Sequence, residues 1–172
     1  MAPLVRRTWS PRGQTPYLYQ RTQSHTKVSV IAALCVAPNR DRLHLYFRLH
    51  PDKNIDKGCV RAFLQQLIRQ LDAPIMLLWD RLSAHRSRLV QDFIQDTPGL
   101  YSEFLPPYAP ELNPTEQVWC YLKMNPLANL TAYDVDSLAD TTRHHSRSLQ
   151  RKQRLLQSFL ANTPLPLRLN RT

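Results

Sequence analysis

"PIMLLWD", Pro74–Asp80, is an unbroken apolar run that a proline opens and an aspartate ends. Five consecutive apolar residues bounded in this way suit a strand buried on both faces. Upstream, Val60, Phe63, Leu64, Leu67, Ile68 and Leu71 recur at helical spacing and form one apolar stripe that needs a sheet to cover. Further upstream, "VSVIAALCVA" (28–37) leads through "PNRD" (38–41) into Leu43, Leu45, Phe47 and Leu49, which alternate with His44, Tyr46 and Arg48. That is a hairpin with one wet face. Downstream, a helix is expected from about Ser83, with Leu89, Val90, Phe93 and Ile94 inward, until Pro98 and Gly99 end it before a short strand, "LYSEFL". The order hairpin, helix, strand, helix, strand, helix predicts an α/β fold with a mixed sheet covered by helices on both sides.

After that strand comes "PPYAPELNPTEQVW" (106–119), in which Pro106, Pro107, Pro110 and Pro114 forbid both helix and central strand before Pro114. The stretch is a stiff connector. It ends on a helix start: Asn113 suits the N-cap, Pro114 the first helical position, and Glu116 stands three residues past the cap. Glu116 has two roles open to it. It closes a capping box onto the Asn113 N–H, or it is a functional carboxylate held in place by the rigid connector. The last third reads as helical, with Leu149, Leu156 and Leu160 inward and Arg143, Arg147 and Arg151 spaced four apart on another face.

Asp80 is similarly poised. At the carboxyl end of a strand an α/β sheet presents ligand-binding groups, yet an aspartate there also caps a following helix. A partly buried carboxylate needs a partner, and Arg81, His85 and Arg86 are near in sequence. Thirty-five residues separate Asp80 from Glu116, enough for one helix, one strand and a connector that returns the chain to the same sheet edge.

The 172 residues, 42% hydrophobic, fit a single globular domain. The net charge of +10 is uneven: residues 1–27 carry +5, residues 28–100 +3, residues 101–142 −5 and residues 143–172 +7. An acidic centre between basic ends suits a protein that holds a polyanion at its periphery and gathers cations at its middle. The longest apolar run is too short to span a bilayer, so a cytoplasmic chain with no membrane partner is expected. Cys35, Cys59 and Cys120 lack metal-site spacing and read as reduced core thiols. With only Gly13, Gly58 and Gly99, no glycine-rich phosphate loop is available.

Two segments, "LLWDRLSAHRS" (77–87) and "FLPPYAPELNPTEQVWCYLK" (104–123), resemble the endonuclease domain of DDE transposases, in the bacterial insertion-sequence branch related to the mariner elements. "VRRTWSPRGQTP" (5–16) and "SFLANTPL" (158–165) extend the resemblance over nearly the whole chain. It implies a ribonuclease H-like fold in which three carboxylates hold two divalent ions, Mg²⁺ or Mn²⁺, for DNA cleavage and strand transfer. By position, Asp80 matches the second acid and Glu116 the third. His85 is implied in a supporting role, Tyr108 and Asn113 in shaping the connector, and Trp119 in packing. Transposon-end and target DNA are the implied partners, with a homodimer or a full-length transposase beside them and a nucleoid-associated location. Arg6, Arg7, Arg12, Arg81, Arg86 and Lys123 are candidate phosphate contacts.

The family's first acid stands on a central strand upstream of the segment matching residues 5–16, and residues 1–40 contain no Asp or Glu. Asp41, the earliest acid, belongs to the hairpin turn. The expectation is therefore an N-terminally truncated domain over 1–172, with a basic C-terminal helix and tail over 143–172, lacking the first strand and inactive in strand transfer by itself. The rival expectation is a non-catalytic nucleic-acid binder that acts through its basic ends and interferes with full-length transposase. An aspartyl-nucleophile hydrolase fits less well, because Leu82 occupies the place of its partner acid.

Overall fold

The computed structural model describes residues 7, 9–15, 17, 27–167 and 169. Two nine-residue strands, β1 (Val28–Val36) and β2 (Leu43–Pro51), pair antiparallel from Val28↔Pro51 to Val36↔Leu43, which is the expected hairpin. Helix α1 (Lys57–Leu71) follows, capped by Asp56, whose carboxylate accepts the Cys59 N–H at 2.8 Å. β3 (Ile75–Trp79), α2 (Arg88–Gln95) and β4 (Leu100–Phe104) come next, and β3 and β4 pair in parallel from Ile75↔Leu100 to Trp79↔Phe104. Gly99, at φ +80°, turns the chain into β4, a conformation open to glycine without steric cost. A 3-10 turn (Pro110–Leu112) leads into α3 (Pro114–Met124), and α4 (Val135–Gln150) and α5 (Gln153–Ala161) complete the order.

β1 is packed on both faces because its residues alternate between two layers, while the expected wet face persists on β2 at exposed His44 and Arg48, and Tyr46 on that face packs toward α1. Ile31 and Ala33 pack with Val60, Phe63, Leu64 and Leu67 of α1, whereas Ala32, Leu34 and Val36 pack with the cluster that holds Val118, Leu149, Leu156 and Phe159. Each fully buried Leu or Val here contributes about 1.5–3 kcal/mol relative to exposure. The outer edge of β2 is closed by side chains. Gln153 accepts the Leu43 N–H (3.2 Å) and donates to the Leu43 carbonyl (2.8 Å), and Gln150 donates to the Leu45 carbonyl (2.6 Å).

The structure departs from expectation at the faces of β3, at the start of α2 and at Cys120. β3 is not buried on both faces: Ile75, Leu77 and Trp79 pack toward α1 and α2, but Met76 and Leu78 are 58% and 44% exposed, beside exposed Tyr101 on β4. Among the described residues the strands form two two-stranded sheets, so β1 and β3 are each paired along one edge. α2 starts at Arg88 rather than near Ser83, because residues 83–86 form a turn in which the Leu82 carbonyl accepts the N–H groups of His85 and Arg86. Of the three thiols, Cys59 is buried and Cys35 half-buried, but Cys120 is exposed, one helical turn from Glu116 on the solvent face of α3. The C-terminal region is two helices meeting at Arg151–Lys152, and the first begins at Val135, ahead of the basic segment. No helix among the described residues is long and apolar enough to cross a membrane.

Candidate active site

β3 delivers Asp80 to the carboxyl end of the parallel pair, where its side chain is 53% exposed. One oxygen, Oδ1, accepts the Leu82 N–H at 3.0 Å and lies 2.8 Å from His85 Nδ1. An ionised carboxylate only accepts, so the proton of that bond belongs to the imidazole. Of the three basic neighbours in sequence, the fold selects His85. Its ring stacks on Trp79 (centroids 4.5 Å apart, 13° between planes), and Trp79 stacks in turn on Phe104 (6.0 Å, 15°). The stack fixes the imidazole from one side while Asp80 holds its edge.

The departure of the connector is clamped beside Asp80. The Leu105 N–H donates to the Trp79 carbonyl (2.8 Å), continuing the β3–β4 ladder by one residue, and Arg81 Nε donates to the Leu105 carbonyl (3.3 Å). The same guanidinium lies over the Phe104 ring at 5.8 Å. Sequence reading assigned Arg81 to phosphate and missed this strut; the parallel register that sets Trp79 opposite Phe104 is the signal that points to it. Tyr108 then adopts φ +58°, a left-handed conformation that costs a non-glycine residue free energy, with its side chain fully exposed.

Asn113 caps α3 as expected, its Oδ1 accepting the Thr115 N–H at 3.1 Å. No capping box forms with Glu116. The Asn113 N–H already donates to the Pro110 carbonyl (3.0 Å), so the group that Glu116 would have satisfied is taken by the 3-10 turn. Glu116 is exposed in the first turn of α3, and no hydrogen bond or ion pair holds its carboxylate among the described residues.

One cleft is lined by Asp80, Arg81, Arg86, Tyr108, Asn113 and Glu116, so the connector brings the two carboxylates to a common space. Arg81 and Arg86 face it with them. Lys123 is half-buried in the last turn of α3 and outside that lining; Arg7 and Arg12 are exposed, and Arg6 lies outside the described residues. Asp41 lies in the β1–β2 connection, away from the cleft lining. Among the described residues no three His, Cys, Asp or Glu side chains cluster as a metal site. The donors present nevertheless fit part of one: a carboxylate without a partner and a second with one oxygen uncommitted are the hard oxygen ligands that Mg²⁺ and Mn²⁺ prefer.

These elements define an α/β protein with a two-carboxylate cleft at the carboxyl ends of parallel strands. The chain belongs to the DDE superfamily endonuclease family, whose model matches residues 2–139. Its fold is similar to that of the Mos1 transposase paired-end complex with left transposon end, at TM-score 0.65 and 16% identity over 95% of this chain and 48% of that one. The mariner Mos1 paired-end complexes with Mg (TM-score 0.59, 19% identity, 94% and 49% covered) and with Mn (0.56, 16%, 95% and 52%) are similar too. The likeness establishes a ribonuclease H-like α/β fold. The chain spans about half the length of these solved transposases. No curated protein matches it.

Proposed function

We propose that this chain is the greater part of a DDE transposase catalytic domain, in which Asp80 and Glu116 are the second and third metal-binding carboxylates and DNA is the substrate. The observation that carries the reading is the shared cleft of Asp80 and Glu116, with Glu116 released from helix capping. Solved relatives with Mg and with Mn support a divalent ion. Such ions supply Lewis acidity and an activated nucleophile for phosphodiester attack. The residues of this chain hold the ions and orient the site: His85 fixes Asp80, and Arg81 fixes the connector that carries Glu116. Arg81 and Arg86 add positive charge where a phosphate would enter.

A third carboxylate is required, and it comes from outside the described residues, on a strand between β1 and β3. Support for that place is the packing of β1, covered on both faces yet paired along one edge. The chain by itself then binds metal weakly and carries out no strand transfer. In the fuller protein it works on transposon ends and target DNA as a dimer, associated with the nucleoid.

Mn²⁺ titration of the chain, followed by electron paramagnetic resonance, tests the site. Weak binding lost in both Asp80→Asn and Glu116→Gln is expected; equal binding in the wild type and both variants overturns the metal assignment. Robust Mg²⁺-dependent nicking that disappears in both variants would overturn the requirement for a third carboxylate.

A further inference from the structure

The two Gln153–Leu43 hydrogen bonds join segments 110 residues apart, and basic side chains flank both partners. Arg42 precedes Leu43, and Arg40 precedes it by three residues in the β1–β2 connection. Lys152 and Arg154 flank Gln153, with Arg151 beside them at the α4–α5 elbow. All five side chains are exposed. None has an ion pair with an acid among the described residues; the pairs on α2 and α4, Arg88–Asp92 and Arg143–Asp140, lie elsewhere. Beyond Asp140 the sequence contains no acid at all. Lys152 also reaches α3, its Nζ lying 3.4 Å from the Tyr121 hydroxyl and 5.8 Å from that ring.

We propose that Arg40, Arg42, Arg151, Lys152 and Arg154 form a docking surface for the phosphate backbone of duplex DNA, built where the hairpin turn meets the α4–α5 elbow and outside the carboxylate cleft. Charge complementarity names the occupant. Asp41, between Arg40 and Arg42, offsets only part of this positive charge, and a polyanion relieves the remaining repulsion while releasing its counterions. The fold supports the task, since the Gln153 and Gln150 side chains fix the elbow against β2 and leave the charged ends free to meet phosphate. An anionic membrane suits the surface less well. Binding there needs an apolar face beside the charge, whereas Leu149, Leu156, Phe159 and Leu160 of these helices are spent in the core. Among the described residues, none of the large exposed hydrophobics lies at the turn or the elbow.

The inference shares its choice of polyanion with the proposed function but does not depend on the metal site. The test is binding of the full chain to a random-sequence duplex of about three helical turns, in chelator, across a salt series. The triple variant Arg42→Gln/Arg151→Gln/Arg154→Gln should bind at least about tenfold more weakly and flatten the log–log salt slope by about 2–3. Replacing the same three residues by Lys should restore both, which separates lost charge from lost fold. An unchanged slope in the Gln triple variant overturns the proposal, as does wild-type binding to phosphatidylserine–phosphatidylcholine vesicles with none to the duplex. Failure of Mn²⁺ binding alone leaves the surface standing and removes only the metal assignment.

Discussion

His85 Nδ1 lies 2.8 Å from Asp80 Oδ1 while the same imidazole stacks on Trp79, so the residue that follows β3 is oriented by the last residue of that strand through a side chain five positions on. Oδ1 is committed to His85 and to the Leu82 N–H, and the other oxygen has no hydrogen-bond partner among the described residues.

Removing the imidazole should therefore loosen the carboxylate without removing it. His85→Ala is expected to weaken Mn²⁺ binding by about tenfold, as for other groups that orient a metal ligand, with the circular dichroism spectrum unchanged. Affinity equal to wild type would show that the Leu82 N–H alone orients Asp80.

The thiols give a chemical check on the burial of the hairpin and of α3. Desolvation pushes the Cys35 thiol up to about 11 from its ordinary 9.0, so it stays protonated and unreactive near neutral pH. Cys120 is exposed. A maleimide should label Cys120 alone in the folded chain and all three thiols after denaturation. The raised value also has a sign: the stability linked to Cys35 is complete below 9.0 and is lost as the pH rises through about 11. Cys35→Ala should remove that alkaline loss, read as the melting temperature against pH.

The α1 stripe and the hairpin were legible because periods of 3.6 and 2 leave a pattern that side-chain chemistry alone reveals. The faces of β3 were not, because in "IMLLW" every position is apolar and the alternation between Leu77 and exposed Leu78 has no sequence mark. Cys120 misled for a related reason: its residue type says core, while its helical phase shared with Glu116 says solvent. At the site, the two carboxylates and the Asn113 cap could be read directly. The choice of His85 over Arg81 and Arg86 could not, since it depends on an aromatic stack across β3 and β4. Nor could the release of Glu116, which rests on a 3-10 turn claiming the Asn113 N–H.

Two helix caps carry an acid dependence of stability. Hydrogen bonds from the Cys59 backbone hold Asp56 below its ordinary 3.8, and those from Ser137 do the same for Asp134, which closes a reciprocal capping box at the start of α4. A depressed carboxyl contributes stability above its unfolded value that is lost as the pH falls through the folded one. Asp56→Ala and Asp134→Ala should lower the melting temperature at neutral pH, with the difference from wild type shrinking as the pH falls below 3.8. A difference constant with pH would mean that helix propensity, not the charged cap, sets the effect.

The closed edge of β2 yields the most discriminating prediction, because Gln153 serves Leu43 as both acceptor and donor. Gln153→Ala leaves both main-chain groups of a buried residue without that partner, and should cost about 1–3 kcal/mol in urea unfolding. Gln153→Glu preserves size and still accepts from the Leu43 N–H, but its ionised carboxylate cannot donate to the Leu43 carbonyl and sets two oxygens against each other. At neutral pH it should therefore lose stability despite its nearly identical shape. Below the carboxyl's pKa the protonated acid regains a donor, so its deficit relative to wild type should narrow on acidification while that of Gln153→Ala stays. If the Glu variant matches wild type at neutral pH, the amide is not the group that closes the edge, and α4 and α5 hold β2 by the apolar contacts of Leu149 and Leu156 alone.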